Sequence, residues 1–220
     1  MNREIILTDD GSSSISIPAI NVTYHSIHGA VQESLHVFIN AGLMPLLEAK
    51  KYETIFIFEM GFGTGLNALL TFEKANFYQQ KIYYTTVELF PLNEDEADKL
   101  NYPNKKILQQ LHTCNWEKDI VLDDFFTLHK TQQSLLNFST SKKFNLIYFD
   151  AFAPDVQPEL WSEEIFKKLF YKLNEEGILV TYSSKSAVRK SLLAAGFSVK
   201  KLKGPPHKRE IIKAIKPSFS

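Results

Sequence analysis

One cysteine, Cys114, stands in 220 residues. It excludes an internal disulfide and fits a reducing compartment such as the cytoplasm. No apolar run approaches the roughly 18 residues that a membrane span needs. The opening Met1-Asn2-Arg3-Glu4 has no secretory core behind it, so neither an anchor nor a leader is expected. There is no repeat, no low-complexity tract and no Pro/Gly/Ser linker, which leaves one domain with a full core as the expectation. Net charge is lacking too, because 25 Lys and Arg balance 25 Asp and Glu. That argues against a protein that coats nucleic acid through its overall field. His25 and His28 lack a set of further ligands, so no metal is expected. Cys114 has no thiolate-activating setting and reads as a structural thiol.

The balanced total hides an asymmetry. From Tyr182 onward the cations are Lys185, Arg189, Lys190, Lys200, Lys201, Lys203, Lys208, Arg209, Lys213 and Lys216, and the one acid is Glu210. Two readings stand side by side: a solvated face, or a phosphate-binding patch on the last part of the fold.

Patterning divides the chain into an extension over 1–50 and a larger unit over 51–220. In the extension, Ser14 to Ile17 alternates apolar and polar residues as a half-buried strand does. Gly29 to Glu48 has helical spacing, with a break expected near Gly42 and Pro45. Beyond it, strands are expected at Thr54–Phe58, Ile82–Val87, within 119–129, at Phe144–Phe149 and at Gly177–Tyr182. Helices are expected at Leu66–Tyr78, at Pro91–Leu100 with Asn93 and Glu96 as a capping box, at Glu159–Leu173 and at Lys185–Ala195. Two last strands, Phe197–Leu202 and Glu210–Ile215, are joined through Gly204-Pro205-Pro206 and should run antiparallel. The β-α-β series predicts an α/β fold with a mostly parallel sheet and helices on both faces.

Three motifs carry chemistry. In Phe58-Glu59-Met60-Gly61-Phe62-Gly63-Thr64-Gly65-Leu66-Asn67, alternate glycines let the chain turn from strand to helix and let a ligand approach closely. Glu59 before the first glycine suits a ligand with an ammonium group, and a pyrophosphate cofactor would disfavour it. Glu88 ends the second strand, where a carboxylate can accept from both hydroxyls of a ribose. Asp150 ends the fourth strand, so it should point into the crevice beyond the strand ends. The loop after it, Ala151-Phe152-Ala153-Pro154, offers a rigid, flat-faced wall for a base, whereas Trp161 reads as core packing.

Together these elements resemble the MnmC/MnmD family of S-adenosylmethionine-dependent methyltransferases, which complete 5-methylaminomethyl-2-thiouridine at the tRNA wobble position. The resemblance rests on Glu59 to Asn67, on Phe149 to Pro154, on Gly204-Pro205-Pro206 with Lys208-Arg209-Glu210, and on Tyr24-His25-Ser26-x-His28-Gly29-Ala30-x-Gln32-Glu33-Ser34. It covers nearly the whole chain. It implies a Rossmann-like class I methyltransferase fold with an antiparallel last strand, in the version without the flavin oxidase domain of bifunctional members. It places Glu59, Gly61, Phe62, Gly63, Gly65, Asn67 and Glu88 at the cofactor. Ser134 stands where many relatives have an acid near the adenine, and His207 where they often have glycine. It makes Asp150 the active-site acid near the acceptor amine. Tyr24, Ser26, Glu33, Phe152, Pro154, Lys185, Arg189, Lys208 and Arg209 are candidates for substrate or tRNA. A carboxylate of ordinary pKa is a poor base for an ammonium, so orienting the amine is the role expected of Asp150.

Three other readings compete. A small-molecule amine methyl- or aminopropyltransferase would not need the basic last third. A non-catalytic RNA-binding module would not bind the cofactor. Against an NAD-dependent oxidoreductase stand Glu59, the antiparallel ending, and the spacing of Tyr182 and Lys185, which is one residue short of the Tyr-Lys pair of short-chain dehydrogenases.

Overall fold

The computed structural model describes residues 2–218. The extension opens with a small antiparallel sheet of β1 (Glu4–Leu7), β2 (Ser13–Ile17) and β3 (Val22–Thr23), of which the two-residue β3 carries no sequence signal. Its helix is α-wound at α1 (Ala30–Ser34), π-wound over Leu35–Leu43 and α-wound again at α2 (Met44–Ala49). The break expected at Gly42 and Pro45 is absent. The junction residues keep right-handed helical dihedrals, with Met44 at φ −52° and ψ −43°. Pro45 falls in the first turn of α2, where a missing N–H costs least. It cannot donate to the Ala41 carbonyl four residues back, and Lys213 Nζ donates to that carbonyl at 2.9 Å instead. Gly42 lies against the main sheet: a Cβ there would meet Val180 Cγ2 at 3.0 Å and Leu146 Cδ1 at 3.2 Å.

The main sheet and its helices follow in alternation. They are β4 (Thr54–Met60), α3 (Leu66–Tyr78), β5 (Lys81–Val87), α4 (Glu94–Asp98), α5 (Lys105–Thr113), β6 (Asp119–Asp123), β7 (Phe126–Thr131) and β8 (Phe144–Phe149). After a 3-10 turn at Pro158–Trp161 come α6 (Glu163–Lys172), β9 (Leu173–Thr181), α7 (Ser186–Ala194), β10 (Ser198–Lys203) and β11 (Glu210–Ile215). The eight strands lie in the order β10-β11-β9-β8-β4-β5-β7-β6. The five central pairing partners β9, β8, β4, β5 and β7 are parallel; β11 runs antiparallel between β9 and β10. The central strands read as unbroken apolar runs because both of their faces are covered, and all six residues of β8 are buried.

Four expectations are corrected. The segment 119–129 is not one strand but a hairpin, turning at Asp124-Phe125 so that β6 pairs antiparallel with β7. Helix α5 was missed. Its buried Leu108 and Leu111 are spaced i, i+3, but Pro103-Asn104 ahead of it reads as loop. The helix expected over 91–100 shrinks to α4, with the capping box of Asn93 and Glu96 intact. The helix expected from Glu159 begins at Glu163, capped by the Ser162 hydroxyl.

Lys130 is wholly buried in β7. Its ammonium donates to the Leu111 and His112 carbonyls at 2.7 and 2.8 Å, at the C-terminal end of α5, and sits 4.6 Å from the Trp116 ring centroid. A cation there meets the negative end of the helix dipole.

Because a side chain at position 42 must displace Val180 and Leu146, Gly42→Val should cost about 2 kcal/mol of stability, as overpacking of a close helix–sheet contact does. A urea midpoint lowered at unchanged slope is the expected result.

Candidate active site

The chain winds outward from β4 to β5 and β7, then crosses back to β8 and β9. The direction of winding therefore reverses between β4 and β8, which pair in parallel. The loops after these strands part there, and open sheets bind ligands at such a point. A cavity of about 380 Å³ occupies it. Gly61 to Thr64, Leu66 and Asn67 contribute to one side, Glu88 to Phe90 and Gln133 to Leu135 to another, and Asp150 to Phe152 to a third, whereas Gly65, expected at the cofactor, is turned toward His112 and Leu108 of α5. Arg3, Tyr24 and His25 of the extension close over it.

Gly61 has φ +88°, and a Cβ on it would stand 2.9 Å from the Asp150 carbonyl oxygen. The Asp150 N–H in turn donates to the Met60 carbonyl at 3.2 Å. The glycine turn and the acid are thus one contact, not two separate motifs. Glu88 accepts from the N–H of Gly63 at 3.0 Å with one carboxylate oxygen and from the N–H of Phe90 at 2.9 Å with the other. This fixes the carboxylate in the cavity wall with lone pairs left for a ligand.

Asp150 is held by Asn67, whose Nδ2 donates to Oδ2 at 2.9 Å. Burial, and next the Glu33 carboxylate, push the Asp150 carboxyl up to about 8; the Asn67 amide and the Lys208 ammonium pull the other way. Proton transfer from an alkylammonium of pKa near ~10 to an ordinary carboxylate is uphill by about six pKa units, roughly 8 kcal/mol. For Asp150 the gap narrows to about two units, roughly 3 kcal/mol. Orienting an amine is the role expected of Asp150, and the raised value lowers the barrier to taking a proton as well.

Glu59 is placed differently from expectation. β4 extends two residues beyond the expected Phe58, so Glu59 sits within the strand, and it is not among the residues that line the cavity. It is fully buried among Asn67, Tyr84 and Thr86, and burial, then the Asp150 charge, raise its carboxyl well above the usual range. Its two oxygens have no hydrogen-bond partner among the described residues, which a neutral acid tolerates better than a carboxylate.

The other candidates fall into three groups. Phe62, Ser134, Tyr24 and Phe152 line the cavity, and Tyr24 meets Phe152 edge-on at 5.3 Å. Glu33 and Lys208 pair behind Asp150 at 2.6 Å, and Glu33 also accepts the Ser26 N–H at 2.9 Å. Ser26 accepts the His28 N–H through its hydroxyl and does not reach the cavity. Pro154 also stays outside it, Lys185 pairs with Asp155, and Arg189 and Arg209 are exposed. Sequence reasoning missed Arg3 and His25. Arg3 donates to Glu96 at 3.0 Å and to the Pro91 and Phe90 carbonyls. His25 bonds the Thr64 hydroxyl at 2.7 Å, and burial lowers its pKa to about 4. Its invisible signal was partnership with a residue 39 positions away.

An eight-stranded sheet with the antiparallel β11 set second from one edge, a glycine turn after β4 and an acid at the end of β5 define a nucleoside-cofactor transferase fold. The family model for S-adenosyl-L-methionine-dependent methyltransferase matches residues 86–217, and the chain belongs to that family. Among its relatives is the tRNA 5-methylaminomethyl-2-thiouridine biosynthesis bifunctional protein MnmC of Actinobacillus pleuropneumoniae, 31% identical over 90% of this chain and 33% of the relative. The protein of the same description from Leptospira interrogans is 29% identical over 86% of this chain and 32% of its own length. The chain thus spans about a third of the curated relatives it matches. The crystal structure of MNMC2 from Aquifex aeolicus superposes with a TM-score of 0.84 at 26% identity, covering 99% of this chain and 71% of that one.

Gly61→Ala would force a Cβ onto the Asp150 carbonyl at a left-handed φ, a strain of about 1–3 kcal/mol. Calorimetry should show affinity for S-adenosylmethionine reduced about tenfold or more, with the far-ultraviolet dichroism of the sheet retained.

Proposed function

We propose that this chain methylates the aminomethyl nitrogen of 5-aminomethyl-(2-thio)uridine at the tRNA wobble position, giving the 5-methylaminomethyl form. The observation that carries the reading is Asp150: a half-buried carboxyl in the wall of the cavity, held by Asn67 and with its proton affinity moved toward that of an amine. The names of the relatives support the choice of acceptor.

The residues fit the cofactor. The turn of Gly61 to Gly63 presents main chain without side-chain bulk, Glu88 offers a fixed carboxylate to the ribose hydroxyls, and Ser134 stands beside the place left for the adenine. Bound there, S-adenosylmethionine supplies an electrophilic methyl group on a sulfonium. Asp150 receives the acceptor as an ammonium ion, orients it and takes one proton, which leaves the nitrogen lone pair free to attack. Asn67 keeps the carboxyl in place during that exchange. Tyr24 and Phe152 offer flat faces to the base, which must leave its stack to enter. Most of the acceleration is positional, since the sulfonium is already reactive.

The tRNA meets the basic last third. A second cavity of about 410 Å³ is lined by Ser186, Arg189, Lys190, Val199 and Lys201, beside the start of α7 and thus near the end of β9 that faces the active site. Lys185 and Arg209 extend this surface. Acting on tRNA with a single unpaired cysteine, the protein suits the cytoplasm. No helix of the described residues is long and apolar enough to cross a membrane.

Purified protein, S-adenosylmethionine and tRNA bearing the aminomethyl nucleoside should yield the methylaminomethyl nucleoside by mass spectrometry of wobble positions; no conversion would refute the reading. Asp150→Ala should bind cofactor nearly as the parent does and lose about 10²–10⁴ in turnover. The base form of Asp150 is the ionised one, so kcat/KM for the acceptor should climb with pH until about 8. With three phosphates contacted, tRNA affinity should fall by about tenfold or more between roughly 50 and 200 mM salt; a flat response would remove the basic face from the proposal.

A further inference from the structure

Among the ion pairs of the described residues, Glu33–Lys208 has the longest reach along the chain, and it is sheltered, though Arg3–Glu96 lies deeper at 9% and 21%. The side chains keep 10% and 30% of their exposure, and the residues lie 175 positions apart. By contrast Lys51–Glu176 keeps 55% and 59% and sits at the surface. An exposed pair contributes little, whereas a pair drawn into low dielectric acts strongly on its neighbours.

Both partners are firmly placed. Glu33, on α1, accepts the Ser26 N–H with one oxygen and the Lys208 ammonium with the other. Lys208 is delivered by the turn between β10 and β11, closed by Lys208 N–H to the Pro205 carbonyl at 3.0 Å and Gly204 N–H to the Arg209 carbonyl at 3.0 Å. Its ammonium lies 4.4 Å from the centroid of the Tyr182 ring. The Tyr182 hydroxyl donates at 2.9 Å to the carbonyl of Ala151, the residue after Asp150. Three elements distant in sequence therefore converge behind the acid.

The titratable groups facing Asp150 come from several elements. Glu59 approaches from β4, Tyr84 from β5, Tyr182 from the end of β9, Glu33 from α1 and Lys208 from the hairpin turn. Burial raises the proton affinity of Glu59 and of both tyrosines. Glu33 and Lys208 add a carboxylate and an ammonium in direct contact with each other.

We propose that Glu33 and Lys208 are positioning residues of the acceptor site, acting through Asp150: their clasp sets opposed charges behind its carboxyl, and the balance fixes how readily Asp150 takes the acceptor's proton. Glu33 makes the carboxylate costlier and so a stronger base. Lys208 screens Glu33 and stops the acid from staying protonated when the ammonium arrives. The inference rests on the proposed amine methylation for its purpose, but not for its measurement.

The test is a titration of the Asp150 carboxyl by carbon-13 NMR on aspartate-labelled full-length protein, with its signal assigned by loss in Asp150→Asn. Glu33→Gln should move the midpoint to lower pH by about half a pH unit or more, and Lys208→Met to higher pH by a similar amount. Lys208→Arg, which keeps the charge, should restore the parental midpoint. Equal midpoints in the parent, Glu33→Gln and Lys208→Met would overturn the proposal, as would a Lys208→Arg midpoint matching that of Lys208→Met. If Glu33→Gln does not fold, the two Lys208 variants decide alone. No acceptor is present, so failure of tRNA methylation would leave this result standing, and the reverse. Where methylation is observed, the acid limb of kcat/KM should move with the NMR midpoints; a change in KM alone at a fixed limb would count against the clasp.

Discussion

Where β4 and β8 part, the main chain of Gly61 and that of Asp150 are in contact, and no side chain larger than hydrogen fits between them. The glycine turn and the acid are set by the same parallel pairing. A shift of either strand would move both halves of the site. In the proposed reaction the distance between methyl donor and acceptor nitrogen is thus a property of the sheet's register, and a central sheet buried on both faces is the part of a fold least free to move.

Around that contact the protein gathers ionisable side chains whose neutral forms burial favours. Glu59, Tyr84 and Tyr148 are fully buried with raised proton affinities. Two neighbouring carboxyls in one dry site cannot both ionise cheaply, so Glu59 and Asp150 titrate as a pair. Glu59 is the deeper member, with no partner for either oxygen among the described residues. Asp150 lines the cavity and carries the Asn67 amide on one oxygen.

Much of this was legible in the residues. The strand and helix series from Thr54 to Val87, the buried strand ending at Asp150 and the antiparallel final pair follow from periodicity and turn chemistry, which act within a few positions. The capping box of Asn93 and Glu96 is equally local. Contacts between distant segments were not legible. Glu59 looked like a ligand group because the end of β4 could not be fixed to the residue, and one residue changes which way a strand side chain points. The hairpin at 119–131 lacks a glycine or proline at its turn, so its two strands read as one. Gly42 and Pro45 suggested a break because propensity cannot register that Lys213 and the sheet supply what they withhold. His25, Arg3 and the pairing of Glu33 with Lys208 exist only once the extension lies over the sheet.

The reach of the Glu33–Lys208 clasp has a bearing on how the molecule is made. β4 and β8, which end at the glycine turn and at Asp150, leave the ribosome before β9, Tyr182 and Lys208, at about 5–20 residues per second. For that interval of several seconds the nascent chain lacks the strand that pairs with β8 on its far side and, with it, both Tyr182 and Lys208. Completion of the acceptor side therefore waits for the last hairpin to close against a segment synthesised first.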